Sequence, residues 1–279
     1  MTIQEPSSDR PSQRMLSVII PAMNEGGTLC SVLSQFAEDL RKEQIPFEIV
    51  VINDIPSNGT ADDSSQILKG LVRDYPEIHA YDRTGGTGYG TAVSTAVTLS
   101  KGDYVVISSA DACNISQDII LYYRTLDEGN DAVFGSRFIP GASVTGYPQF
   151  KLFVNRVSNF ILQVLFGFKF NDYTDGFKGY RRELLTQFGP LFSTKFNITI
   201  ELSLKAMLLT KKIKQVPTQW YGRSWGVSKL SILRVLRYYL STLLYILGLR
   251  IMTEDFLKCA RTKVELREIN ARSMQLEPV

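Results

Sequence analysis

The chain has 279 residues, 44% hydrophobic, 11% aromatic and 21% charged, a composition that supports a large globular core and one or two domains. Its net charge of +3 is too small to imply nucleic acid as a partner. The single histidine, His79, argues against most zinc chemistry and against a Ser-His-Asp site, while three cysteines (Cys30, Cys113, Cys259) without C-x-x-C spacing suit free thiols in a reducing compartment.

Residues 1–14 are polar and rich in proline and serine, the composition of a disordered tail, and no apolar signal-peptide core precedes Met15. The expected location is therefore cytoplasmic. Leu16-Ser17-Val18-Ile19-Ile20-Pro21 predicts a buried strand stopped by proline. An Asn24-Glu25-Gly26-Gly27 turn follows, then a helix over 28–42 with Leu29, Val32, Leu33, Phe36 and Leu40 at helical spacing. Phe47-Glu48-Ile49-Val50-Val51-Ile52 predicts a second strand ending at Asn53-Asp54, and a helix over 61–73 leads to a short third strand over 78–81. Gly85-Gly86-Thr87-Gly88-Tyr89-Gly90 opens a helix to 99, and Tyr104-Val105-Val106-Ile107 is a fourth strand leading to Asp111. This alternation argues for a parallel α/β sheet with right-handed crossovers. Its strand ends would carry Pro21, Asn24, Glu25, Asp54, Gly88, Gly90 and Asp111 to one edge, where such sheets bind ligands.

The second half is less regular. Residues 131–137 read as a strand ending in Arg137, and 150–166 as a helix, apolar except for Lys151, Asn155 and Asn159, which share one face. A polar turn over 172–177, a helix over 196–209 carrying Glu201, and a short edge strand at Lys214-Gln215-Val216-Pro217 follow. Arg223-Ser224-Trp225-Gly226-Val227-Ser228-Lys229 then leads into a last long helix.

Two local signals leave alternatives open. Asp111 suits a Mg²⁺ or Mn²⁺ ion bridging nucleotide phosphates, because these hard cations take oxygen ligands, or equally the cap of the next helix. The glycine-rich loop follows the third strand and reads G-x-G-x-G, whereas a dinucleotide fingerprint follows the first strand as G-x-G-x-x-G. A tight turn with close helix–strand packing accounts for it as well.

Taken together, Val18-Ile19-Ile20-Pro21-Ala22-Met23-Asn24-Glu25, Val50-Val51-Ile52-Asn53-Asp54, Gly88-Tyr89-Gly90-Thr91-Ala92, Gly102-Asp103, Ala110-Asp111, Gly135-Ser136-Arg137, Asp172-Tyr173-Thr174-Asp175-Gly176-Phe177 and the 223–229 segment resemble the inverting, nucleotide-sugar-dependent glycosyltransferases of family 2. Within that family they resemble the dolichyl/polyprenyl-phosphate mannosyltransferase-like group. The resemblance implies a GT-A fold, an α/β Rossmann-like, mostly parallel sheet flanked by helices, over residues 15–228. It implies transfer of a hexose, mannose first, from GDP-mannose or UDP-glucose to a polyprenyl or dolichyl phosphate, assisted by Mg²⁺ or Mn²⁺. By the same resemblance, Pro21, Asn24, Glu25, Asp54, Gly88, Gly90 and Ala110 line the donor site, with Asp54 accepting from the base. Asp111 is the metal ligand, with Asn114 corresponding to the second position of an A-D-x-x-D motif. Arg137, Lys151 and Asn155 contact the acceptor phosphate, and Arg223 and Lys229 clamp the donor phosphates, Arg223 counted with Asp111 and Arg137 in the catalytic set. The chain departs from the family pattern at Ser109, where D-x-D would have its first acid, and at Gly85-Gly86, where a lysine is common. A hydroxyl-acceptor transferase and an inactive nucleotide-sugar-binding relative are the alternatives. Solvated surface charge at Arg137, Arg223 and Lys229, and a plain solvent face at Lys151 and Asn155, are the structural ones.

Between 229 and 252 there are basic residues and no acid, with Ile232, Leu233, Leu236, Leu240, Leu243, Leu244 and Leu247 in an apolar stripe. The uncharged run 238–249 would be about 18 Å long as a helix, short of the roughly 30 Å hydrocarbon core. A basic amphipathic helix on the cytosolic face of a membrane fits it, as does a helix covering the sheet or joining a homo-oligomer. Residues 253–279 read as a charged helix or tail.

Overall fold

Short β-branched runs become strands, and apolar residues three and four apart become the helices that cover them. The structure is a computed structural model that describes residues 13–58, 60–85, 88–222, 232–251 and 277–278. Residues 1–12 of the expected 1–14 tail, the clamp residues Arg223 and Lys229, and the segment 252–276 lie outside the described residues. In chain order the elements are β1 (Leu16–Ala22), α1 (Gly26–Lys42), β2 (Phe47–Ile55), α2 (Ser64–Asp74), β3 (Ile78–Thr84), α3 (Tyr89–Leu99), β4 (Tyr104–Ile107), α4 (Ser116–Asp127) and β5 (Ala132–Ser136). They continue with β6 (Ser143–Thr145), α5 (Gln149–Phe166), β7 (Lys178–Arg181), α6 (Arg182–Thr186), α7 (Ile198–Leu209), β8 (Ile213–Pro217), β9 (Gln219–Tyr221), α8 (Ile232–Ile251) and β10 (Glu277–Pro278).

The main sheet runs β10-β3-β2-β1-β4-β7-β5-β8, and β6 pairs with β9 separately. Strands β3, β2, β1 and β4 are mutually parallel, while β7 enters antiparallel between β4 and β5. Since β7 opposes both its neighbours, β5 points the same way as β4. The carboxyl ends of β1 to β5 therefore share one rim. Alternate residues of β1 feed opposite faces: Val18 and Ile20 join Leu29, Leu33 and Phe36 of α1, and Ile19 joins Ala92, Val93 and Ala96 of α3.

Several boundaries move for identifiable reasons. Pro21 does not stop β1, which continues to Ala22 in register with β2. Ile19 accepts from Ser108 on the β4 side, so Pro21, two residues on, faces that side after β4 has ended, and its missing N–H leaves no partner unsatisfied. Strand β3 extends to Thr84, because Asp54 and Arg83 stand opposite one another in the ladder. Strand β4 ends at Ile107, so Asp111 lies on the loop beyond it. The sheet is mixed because of β7, a strand the periodicity of 178–181 does not announce, and because the short edge strand β10 pairs antiparallel with β3. Among the described residues no helix is long and apolar enough to cross a membrane.

Candidate active site

The rim is built from the loops that leave the five strands. After β4, Ser109 Oγ lies 2.6 Å from Asp111 Oδ1 and 3.0 Å from Asn114 Oδ1, and Cys113 N donates to Asp111 Oδ1 at 3.3 Å. Ala112 adopts φ 59°, a left-handed turn that folds the loop back on itself. Thr28 Oγ1 donates to Ala110 O at 2.6 Å, which ties the first turn of α1 to this loop. Three oxygens thus converge, one of them from a carboxyl group: a set suited to a hard divalent cation that takes its remaining ligands from substrate phosphates. Among the described residues no group of three or more Asp, Glu, His or Cys side chains forms a complete metal cage.

Asn24, Glu25 and Asp54 occupy the same rim, each already engaged. Asn24 sits at φ 52°, its Nδ2 donating to Thr60 O at 2.7 Å and its Oδ1 accepting from Asp62 N at 3.3 Å. Glu25 is buried at the head of α1, its amide donating to Ser64 Oγ. Asp54 accepts twice from Arg83, Nε at 2.6 Å and Nη2 at 2.7 Å, both residues being buried. A base at this edge would therefore meet an Asp54–Arg83 pair rather than a lone carboxylate. Arg83 Nη2 also reaches Gly88 O at 3.3 Å, fastening the glycine-rich loop to the pair.

Gly88 has φ 122° and ψ −178°, a region only glycine occupies readily, and the Lys195 side chain lies where a β-carbon would be. Gly90 donates its N–H to Thr194 O at 3.1 Å and has the backbone of Ser193 against its Cα. Both glycines thus admit the 193–195 loop, a close approach by a loop where the sequence suggested helix–strand packing. Tyr89, between them, stacks on Phe196 with centroids 4.5 Å apart. Burial, reinforced by Asp175 and then Asp111, pushes the Tyr89 hydroxyl well above its ordinary pKa and keeps it protonated.

Arg137 follows β5 and pairs with Asp172 through Nε at 2.8 Å and Nη2 at 2.7 Å, with Asp175 Oδ2 3.9 Å from Nε. Burial alone would raise Asp172, but the Arg137 guanidinium more than reverses it and holds that carboxyl below its ordinary value. Asp175 moves the other way, pushed up mainly by burial against the pull of Arg137. Lys178, buried over the Phe134 ring, is pushed down to about 8 by burial against both aspartates, and its ammonium donates to Tyr173 O at 3.1 Å and to Asp175 O.

Helix α5 completes this side. Asn155 Nδ2 donates to Thr174 Oγ1 at 2.7 Å, and Asn159 Oδ1 accepts from Tyr173 N at 2.6 Å. The polar face of α5 is thus turned inward onto the Asp172–Thr174 turn, and Asn155 is bonded to protein there. Lys151 lies one turn earlier, half-buried. Outward, Phe150 is 70% exposed, Phe153 65%, Phe160 64% and Val164 66%.

The sequence reading missed Arg83 and Lys178, and it named Asp172, Asp175 and Asn159 only as parts of the 172–177 motif and of the polar face of the helix, without a role. For Arg83 a signal existed: it stands one residue before the end of β3, as Asp54 does in β2. For Lys178 there was none, because a lone lysine after an apolar residue reads as surface.

These features meet their counterparts in known proteins. The model of the family described as glycosyl transferase family 2 matches residues 17–189, more than half of the chain. A polyprenol monophosphomannose synthase of Mycolicibacterium smegmatis is 28% identical over 233 residues, covering 82% of this chain and 85% of that protein. An undecaprenyl-phosphate mannosyltransferase of Micrococcus luteus is 23% identical over 218 residues, 76% of this chain and 86% of the other. The fold is that of a glucosyl-3-phosphoglycerate synthase from Mycobacterium tuberculosis, solved with Mn²⁺, UDP and phosphoglyceric acid, with a TM-score of 0.59, 21% identity, and 84% and 79% of the two chains covered. A rim assembled from five strand ends, the Asp111 loop, and a family match spanning β1 to β7 and beyond lead to one assignment: the chain belongs to glycosyl transferase family 2 and is a glycosyltransferase.

Proposed function

We propose that this enzyme transfers a hexose, mannose in the first instance, from a nucleoside-diphosphate sugar to a polyprenyl phosphate, with inversion, at a membrane surface. One observation carries the acceptor class: helix α5 sets Lys151 and Asn155 on the side of the Arg137 cluster while its other side exposes Phe150, Phe153, Phe160 and Val164. An acceptor with an anionic head and a hydrocarbon tail needs both faces. Helix α8 adds Leu236, Leu240 and Leu244, each more than half exposed, and its Arg250 donates to Leu165 O and Phe166 O at the end of α5. Neither helix contains an acidic residue, which suits an anionic lipid surface, where each Lys or Arg contributes about 1 kcal/mol.

The chemistry follows from charge. An acceptor phosphate oxygen attacks the anomeric carbon as the bond from that carbon to the donor diphosphate breaks, so charge leaves on the diphosphate. The acceptor is already ionised near pH 7 and needs no general base, only cations to hold and orient it. Asp111 and Asn114, with the donor's phosphates, would hold a Mg²⁺ or Mn²⁺ ion, which when bound neutralises charge on the leaving group. The buried Arg137–Asp172 pair keeps the acceptor side rigid, and Asp54–Arg83 does so for the donor side.

The test is a panel of GDP-mannose and UDP-glucose against polyprenyl phosphate, with and without Mn²⁺, read by product mass. A glycosylated polyprenyl phosphate is expected from one donor, and Asp111→Ala should lower turnover at least about a hundredfold while the melting temperature stays put. Unchanged turnover in that variant, or no lipid product from any donor, would reject the proposal.

A further inference from the structure

We infer that Lys195 binds the donor diphosphate, supplying to the glycine-rich loop the cation that its own sequence lacks. The loop Gly85-Gly86-Thr87-Gly88-Tyr89-Gly90 contains no basic residue, and Arg83, two residues before it, is committed to Asp54 through both Nε and Nη2. The structure brings a lysine to the same place from more than a hundred residues away. The ideal β-carbon position of residue 88 is 2.7 Å from Lys195 Cδ and 2.9 Å from its Nζ, so the ammonium group lies directly over the Gly88 backbone at the strand-end rim. Any side chain at 88 would displace it.

The segment that carries Lys195 is held with unusual care for a connection between helices. Lys195 N donates to Asn197 Oδ1, and Asn197 Nδ2 donates to Ser193 Oγ and to Thr242 Oγ1 of α8, both at 2.9 Å. Buried Glu201 accepts from Phe192 N and Ser193 N and is itself paired with buried Lys205 at 2.7 Å. Phe196, the next residue, stacks on Tyr89, whose hydroxyl feels both Asp111 and Asp175. This scaffold fixes an ammonium group on the donor rim shared with Asp111. A phosphate oxygen meeting a preorganised ammonium forms a charge-assisted hydrogen bond, about twice as strong as a neutral one.

The inference rests on the donor half of the proposed function, and the experiment separates the two. Binding of GDP, UDP and the corresponding nucleosides to the full chain is measured by calorimetry in Mn²⁺, for wild type, Lys195→Met and Lys195→Arg, alongside donor KM and kcat. Lys195→Met should weaken diphosphate binding and raise donor KM about tenfold or more, leave nucleoside binding within about twofold, and keep the melting temperature; Lys195→Arg should recover most of the loss. Equal diphosphate affinity in wild type and Lys195→Met overturns the inference, and so does a wild type that binds neither diphosphate. A parallel loss of nucleoside binding also overturns it, since that marks a structural role. Diphosphate binding that depends on Lys195 in a protein that glycosylates no lipid phosphate supports the inference and fails only the acceptor assignment.

Discussion

Helices α1 and α5 are nearly the same length and both amphipathic, yet they face opposite ways. Helix α1 buries Leu29, Val32, Leu33, Phe36 and Leu40 against the sheet and exposes Cys30, Gln35, Glu38 and Arg41. Helix α5 turns Asn155 and Asn159 inward and Phe150, Phe153 and Phe160 outward, keeping only Leu162 and Phe166 as apolar anchors in the core. Periodicity identifies two faces in each case but does not say which one meets the protein. What decides is the surface on offer: α1 packs on an apolar sheet, whereas α5 passes over a turn of aspartates and exposed backbone amides that only polar side chains can satisfy.

The sharpest test of this contrast is the cluster under α5. Removing one partner of a buried ion pair strands the other, so Arg137→Met should destabilise the fold by about 3–5 kcal/mol, read by urea denaturation. Next comes the apolar face of α1. Leu33→Ala, at a position with no exposed surface, should cost about 2–5 kcal/mol.

A smaller effect concerns pH. Lys178 releases its proton near 8 when folded, whereas an unfolded lysine holds it to about 10.4. The unfolded chain therefore binds more protons between those values, and stability should rise with pH across that window. Lys178→Met should remove this alkaline rise, and a wild type without one would refute the buried, partly neutral lysine. The smallest change in stability belongs to the outer face of α5. Phe153→Ser with Phe160→Ser should alter stability in solution by no more than about 0.5 kcal/mol per site yet reduce co-sedimentation with anionic vesicles severalfold. Vesicle binding that survives the double change would place the membrane contact elsewhere.

Much of the site was legible before the fold was known. Asp111, Asn24, Glu25 and Asp54 follow short apolar runs, and a parallel sheet must carry such residues to one rim. The pairing of Asp54 with Arg83 was not, because it depends on two strands lying in register, and register is set by contacts across the sheet. The glycine-rich loop shows the limit most directly. Its glycines invite a ligand, but the structure places the 193–195 loop against them.

By itself the sequence determined the alternation of strand and helix, the gathering of strand-end residues on one rim, and the family, because these follow from local periodicity and short motifs. Only the tertiary structure decided the antiparallel insertion of β7, the outward turn of the α5 aromatics, and the delivery of Lys195 to a loop that has no cation of its own. Those outcomes depend on which surfaces distant segments present to one another: a buried polar group must find its partner wherever in the chain that partner lies.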